Sequence, residues 1–266
     1  MELSNRLKAI CDLCDKGHVV ADIGCDHGYV SITLTNNRIF DKALAMDINE
    51  GPLRLCMQNI KAYGDGSRIE TRLSNGLEGL EPGEADAVII AGMGGILVRD
   101  ILAAGDSKLK GVKQLILGAQ SDLDLVRKHL RDIGFSIKDE DMILEDGKYY
   151  QLIKAVFSGD KTVSDNSSVD ESSDKYQEVL DRFGPVLLAS KNEVLYKFLN
   201  HEKLIREDIV AKLTAKLTKG SQVGQTVKEA PAPIVITTRT TIATIIIVSS
   251  SERFFSFFSG FLSSSS

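Results

Sequence analysis

Along residues 1–157, short continuous apolar runs alternate with segments whose apolar residues stand three and four apart. A brief apolar run closed by glycine or an acid reads as a strand buried on both faces, and the 3.6-residue spacing reads as a helix packed along one stripe. Strands are therefore expected at 19–24, 43–48, 68–72, 85–91 and 114–118, with helices at 29–37, 51–63, 96–104 and 123–133 between or after them. In the last of these helices Leu123, Val126 and Leu130 share the inward face. Residues 135–145 and 149–157 read as two more strands flanking the turn signal Asp146-Gly147-Lys148. Ahead of the first strand, Leu3, Leu7, Ile10 and Cys14 recur at helical intervals and predict an N-terminal helix with Cys14 in its buried stripe. The alternation implies an α/β fold with a doubly wound, mostly parallel sheet and an antiparallel pair at one end.

Beyond residue 157 the pattern changes. Residues 158–175 are rich in Ser and Asp and read as a solvated linker. Residues 176–219 turn helical, with Gly184-Pro185 as a break and Leu195, Phe198, Leu199, Ile205, Ile209 and Leu213 as an apolar stripe that one helix cannot cover alone. Residues 220–266 contain no Asp, only Lys228 as lysine, and clusters of Ile, Phe, Thr and Ser unlike anything upstream. They are expected to be a low-complexity tail, disordered or out of frame.

Composition is that of an ordinary globular chain, 43% hydrophobic with a net charge of −5 over 266 residues. That balance excludes a wholesale basic coat, so a nucleic-acid partner must meet local patches. Lys108, Lys110, Lys113, Arg127, Lys128 and Arg131 form one expected basic rim, and Lys191, Lys197, Lys203, Lys212 and Lys216 another. With neither a cationic, apolar leader nor an apolar run of roughly 18 residues, the expectation is a cytoplasmic protein with no membrane contact. Cys11-x-x-Cys14 has no second ligand pair at zinc spacing, so no metal is expected.

The candidate chemistry sits at the ends of the expected strands. Asp22-Ile23-Gly24-Cys25-Asp26-His27-Gly28 places an acid and two glycines after the first strand, and Asp47-Ile48 ends the second about two dozen residues later. Such folds bind nucleosides at strand tips, where bare glycine backbone lets a ligand approach and a carboxylate matches a ribose diol. A dinucleotide site needs G-x-G-x-x-G for its pyrophosphate; here Asp26 holds the middle of the loop with a charge of like sign. S-adenosylmethionine carries a sulfonium and an ammonium and no phosphate, and suits an acid-lined loop. Asn75-Gly76 offers a donor and acceptor for the cofactor's adenine. Ala91-Gly92-Met93-Gly94-Gly95, after the fourth strand, offers open backbone and a soft thioether to a flat substrate. Gln120-Ser121 follows the fifth strand as a further candidate for substrate contact.

Taken together, Asp22–Gly28, Asn75-Gly76-Leu77, Ile90-Ala91-Gly92-Met93-Gly94-Gly95 and Glu145-Asp146-Gly147-Lys148-x-Tyr150, in that order, resemble the bacterial tRNA (adenine-N1)-methyltransferase family called TrmK across Leu3 to Leu217. The resemblance implies a Rossmann-like class I S-adenosylmethionine-dependent methyltransferase domain (1–157), followed by a small helical, coiled-coil-like domain (176–219); the chain departs from the family from Gly220 onward, where no returning heptads follow, so the second domain is expected to be incomplete. It also implies methylation of N1 of adenine 22 in the D-arm of tRNA by a monomer. Asp22, Gly24, Gly28, Asp47, Ile48, Asn75, Gly76, Ala91 and Gly92 are then the expected cofactor residues, with Asp22 and Gly24 against the methionine portion. Asp26, His27, Gly92 and Met93 are the expected catalytic set. Two alternatives stay open: a methyltransferase on the same scaffold acting on another RNA, a protein or a small molecule, and a non-catalytic nucleoside-binding or docking module.

Overall fold

The computed structural model describes residues 3–159 and 171–220. The expected tail beyond Gly220, and most of the expected linker, lie outside the described residues.

Strands β1 (Gly17–Ile23), β2 (Phe40–Asp47), β3 (Ile69–Leu73), β4 (Ala87–Ala91) and β5 (Gln114–Gly118) are parallel, and β6 (Phe135–Glu145) and β7 (Lys148–Phe157) form an antiparallel hairpin at the edge. The seven strands stand in the order β3-β2-β1-β4-β5-β7-β6. Between them run α2 (Tyr29–Asn36), α3 (Glu50–Tyr63), α4 (Gly95–Ala104) and α5 (Leu123–Asp132), with α1 (Asn5–Asp12) ahead of β1. Strands that are buried on both faces divide their side chains between two cores. Ala21, Leu44, Met46, Val88 and Ile90 join the cluster that contains Val98, Leu102, Val126 and Leu130 of α4 and α5. Val20, Ala43, Ala45, Ala87 and Ile89 join the other, with Ile10 of α1, Ile32 of α2 and Cys56 of α3. This two-residue alternation places Asp22 in step with Val20, on the α1–α2 side.

Three expectations are corrected. First, α1 ends at Asp12, two residues short of the end of the expected stripe, so Cys11 is the buried cysteine of the helix; Cys14 lies past the helix, half-buried, and donates its thiol to the Ile10 carbonyl at 3.3 Å. Second, the first compact unit runs to Ser190, so the helical stretch from 176 does not all belong to a separate domain. Helices α6 (Glu171–Phe183) and α7 (Pro185–Ala189) are part of the first unit because buried polar groups of α5 and β6 are satisfied by them. Arg127 donates to the Asp181 carbonyl, Arg131 pairs with the Asp181 carboxylate, and Glu140 accepts the Val186 N–H. Third, the basic rim dissolves. Arg127 is wholly buried against Glu140, Lys113 pairs with Asp86, and Lys108 reaches toward Glu81.

In the second unit the described element is α8 (Glu193–Gly220). Leu195 and Leu199 of the expected stripe are buried, whereas Ile205, Ile209 and Leu213 are exposed. Lys203 and Lys212 pair with acids one turn away, as on an ordinary solvated helix face.

Candidate active site

The strand order reverses between β1 and β4, and helices leave those two strands toward opposite faces of the sheet. A crevice opens at the carboxyl ends of such strands. Here it is a cavity of about 680 Å3 lined by Asp22, Gly24, Asp26, His27, Asp47, Ile48, Asn75, Gly76, Ala91, Gly92 and Met93 of the expected site. Gly28 is not in the lining. It takes the N-cap of α2 at φ 72°, and a Cβ there would overlap the buried Cys56 sulfur, so its requirement for glycine comes from helix packing.

The loop after β1 is held by backbone. The Gly24 and Cys25 amides both donate to the Met46 carbonyl, at 2.8 and 3.0 Å, and the Gly28 amide returns to Cys25 at 2.7 Å. Gly24 sits at φ 73°, where a Cβ would meet the Met93 methyl, so glycine here leaves room for that side chain in the cavity. Asp26 does not cap α2. It adopts φ 49°, exposes 69% of its side chain, and stands 3.6 Å from His27 Nε2. His27 stacks on Tyr29 with ring centroids 5.7 Å apart, and Asn59 fixes its carbonyl at 3.0 Å.

Asp22 and Asp47 are buried at neighbouring strand ends. Burial raises the Asp22 carboxyl to about 6, against stabilisation of the anion by the Ser31 hydroxyl at 2.8 Å and the Ser31 amide, with the nearby Asp47 charge adding to the rise. Asp47 Oδ1 accepts the Asn49 amide at 2.9 Å; among the described residues its second oxygen has no hydrogen-bond partner. Asn75 reaches Glu78 through its amide nitrogen at 2.8 Å, while Gly76, at φ 56°, lies close against Ile101.

On the opposite wall, Gly92 (φ 82°) donates its amide to the Gly118 carbonyl, and Gln120 bridges back, donating its side-chain amide to the Gly92 carbonyl and its backbone N–H to the Met93 carbonyl. Gly95 is needed for a different reason: a Cβ would collide with the Ser121 carbonyl that accepts its N–H. Sequence reasoning missed Arg6 and Leu7 of α1, Pro52 of α3 and Leu97 of α4, all of which line the cavity. Leu7 and Leu97 carried a signal as apolar residues on helices flanking the glycine loops, but no strand-tip motif points to a helix upstream of β1.

The Cys56 hydrogen bond and burial push Cys25 well above the ordinary thiol range, and burial takes Cys11 to about 12. Among the described residues no group of three or more His, Cys, Asp or Glu is placed to hold a metal ion, and no helix is long and apolar enough to cross a membrane.

Residues 3–153 match the family model described as a methyltransferase domain. The chain is 34% identical over 213 residues to the tRNA (adenine(22)-N(1))-methyltransferase of Bacillus subtilis, covering 79% of this chain and 86% of the relative. Among solved structures it is similar to Streptococcus pneumoniae Sp1610 in complex with S-adenosyl-L-methionine (TM-score 0.69, 29% identity, 82% of this chain and 96% of that one). It is also similar to M. capricolum TrmK in complex with S-adenosyl-homocysteine (TM-score 0.67, 26% identity, 92% and 96%). Sheet order, glycine loops and the carboxylate pair define a Rossmann-like class I methyltransferase. Within that class, the chain belongs to the tRNA (adenine(22)-N(1))-methyltransferase family.

Proposed function

We propose that the cavity at the β1–β4 switch point holds S-adenosylmethionine and one purine of a tRNA, with the ribose on Asp47, the methionine end between Asp22 and Gly24, and the target base against Gly92 and Met93. The protein is a S-adenosylmethionine-dependent enzyme that methylates N1 of adenine 22 in tRNA. The single observation that carries this reading is the meeting of three carboxylates, Asp22, Asp26 and Asp47, with the open backbone of Gly24 and Gly92 in one cavity. That donor set fits a doubly cationic nucleoside with a vicinal diol and repels a pyrophosphate.

When bound, the cofactor supplies an electrophilic methyl group on a sulfonium. Adenine N1 is a neutral nucleophile with no proton to lose, so the chain needs no general base; its task is alignment and compensation of charge. The buried Asp22 anion, poorly solvated, gains most when a cation arrives beside it. Asp47 has one oxygen tied to Asn49 and the other available for a hydroxyl. Asp26, exposed at the mouth beside His27, faces the positive charge that grows on the base, or accepts from its amino group. Met93 gives the purine a polarisable surface, and glycine on either side of the methyl path excludes side-chain bulk.

A tRNA substrate supports action in the cytoplasm. The test is incubation of unmodified tRNA with the protein and S-adenosylmethionine, followed by primer extension to locate 1-methyladenine. A stop at adenine 22, absent from a transcript with guanine at that position, is the expected result; methyl transfer to other positions or to none overturns the reading.

A further inference from the structure

We infer that Arg6, on the first turn of α1, receives the carboxylate of the cofactor's methionine portion, so that the helix ahead of the nucleotide-binding fold completes the cofactor site. The inference rests on the cavity being the S-adenosylmethionine site. It starts from a charge mismatch. Asp22 suits the cationic methionine portion, Asp47 the ribose and Asp26 the charge that grows on the base, but the amino-acid end also carries one carboxylate, two bonds from its ammonium. An anion placed beside Asp22 without a cation would be repelled. Arg6 is the single lysine or arginine among the described residues that line the cavity.

Position supports the assignment. The register pairs Ile23 of β1 with Ile90 of β4, so Gly24 and the Ala91–Gly92 step stand side by side. A Cβ on Gly92 would lie 3.7 Å from Arg6 Nη1, which brings the guanidinium to the methionine end of the crevice, away from Asp47 on the far side of β1. The guanidinium is also held in place. Its Cζ stands 5.1 Å from the Tyr150 ring centroid. Below it, Ser4 caps the helix through the Leu7 amide, and the Asn5 amide donates to Glu145 Oε1 at 2.6 Å, pinning the first turn of α1 to the β6–β7 hairpin.

The fork itself is unused. Half-buried Arg6 makes no ion pair and no side-chain hydrogen bond with any described residue, unlike Arg68, Arg72, Arg127 and Arg131, each of which is satisfied by a carbonyl or carboxylate. A planar guanidinium presents paired N–H groups at the spacing of a carboxylate's two oxygens, and a stacked arginine loses little freedom on binding.

The experiment measures dissociation constants by titration calorimetry for S-adenosylmethionine and for its decarboxylated analogue, which differs only in the group at issue, on the full chain and on the Arg6→Gln and Arg6→Lys variants. The native chain is expected to prefer the carboxylate-bearing ligand by roughly ten- to a hundredfold, and Arg6→Gln to erase that preference while binding the decarboxylated ligand as before. Arg6→Lys is expected to fall between, keeping the charge and losing the fork. Equal weakening of both ligands, or an unchanged preference in Arg6→Gln, overturns the assignment. So does a rise in the KM for tRNA with cofactor affinity intact, which would place Arg6 on an RNA phosphate. If a variant does not fold, indifference of the native chain to the carboxylate overturns it alone. Failure of the native chain to bind either ligand would instead refute the reading of the cavity on which this assignment rests.

Discussion

Arg127 Nε lies 2.8 Å from Glu140 Oε1, and neither side chain exposes any surface to solvent. The pair is completed by neighbours: Arg127 donates to the Gln151 side chain and the Asp181 carbonyl, and Glu140 accepts the Val186 amide. Gly184, at φ 94°, is the hinge that admits this, since a Cβ would stand 2.6 Å from Glu140 Oε2 and 2.9 Å from Arg127 Nη2. Helices α6 and α7 are thereby bound to the sheet through one buried polar cluster. Removing one partner leaves an uncompensated buried charge, so Arg127→Met and Glu140→Leu alone should each cost roughly 3–5 kcal/mol. The double replacement should recover most of that loss. Urea unfolding of the four proteins checks it; additive losses would mean that the two charges do not depend on each other.

The two glycines of the loop after β1 should fail in different ways. Alanine at either enters the left-handed region at a cost of roughly 1–2 kcal/mol. At Gly28 the methyl also meets Cys56, which is fully buried and cannot withdraw, so Gly28→Ala should destabilise the fold by roughly 2–4 kcal/mol in total. At Gly24 the obstacle is the end of the flexible Met93 side chain, which can swing aside into the cavity. Gly24→Ala should therefore keep most of its stability and lose cofactor affinity by about tenfold or more. Melting temperature and calorimetric affinity, measured on both variants, separate the two; the same pattern in each would place both glycines in one role.

Asp47 and Asp26 should also part company. Asp47→Ala removes a buried carboxylate at the ribose end, and cofactor affinity is expected to drop roughly a hundredfold, the scale of one charged hydrogen-bonding group. Asp26 is exposed at the mouth, so Asp26→Ala should leave cofactor affinity within a few-fold, while the single-turnover methylation rate falls by roughly a hundredfold. Equal losses in binding and rate for Asp26→Ala would move that residue out of the catalytic role.

What could be read in advance follows the reach of each signal. The β1 tip was legible because a buried strand must be apolar to its end, so Asp22 and the glycines after it stand out as exceptions with a purpose. The glycine run after β4 was legible for the same reason. Arg127 misled because its charge was read before its position: Leu123, Val126, Arg127 and Leu130 complete one stripe at i, i+3, i+4 and i+7, and only a distant partner, Glu140 on another strand, allows an arginine there. The same partner-blindness drew the first domain boundary at 157, since the bonds that tie α6 and α7 to the sheet come from residues dozens of positions away. Arg6 carried no local mark. Its place in the cavity is set by how α1 docks on the β6–β7 hairpin, a contact between the two ends of the catalytic unit.

Asp22 ties the cofactor site to pH. Burial holds its carboxyl near 6 in the folded protein, above the ordinary carboxylate value, so the folded state binds this proton more tightly than the unfolded chain does. The stability associated with neutral Asp22 is complete below the ordinary carboxylate range and is lost as pH rises through about 6. At pH 7.5 the ligand-free protein carries the ionised form at a cost of up to ~3 kcal/mol. Asp22→Asn, which keeps the acceptor for Ser31, should therefore raise the ligand-free melting temperature at pH 7.5 and match the native protein near pH 4. Binding runs the other way. A cation beside the carboxylate restores its ionisation, so native affinity should weaken about tenfold per pH unit below 6, with close to one proton released per ligand bound at pH 5. Calorimetry in two buffers of different ionisation enthalpy counts that proton, and Asp22→Asn identifies the share that belongs to Asp22. A variant more stable than the native protein yet binding as tightly, with the same proton release, would show that this buried acid serves neither the cofactor nor the pH response assigned to it.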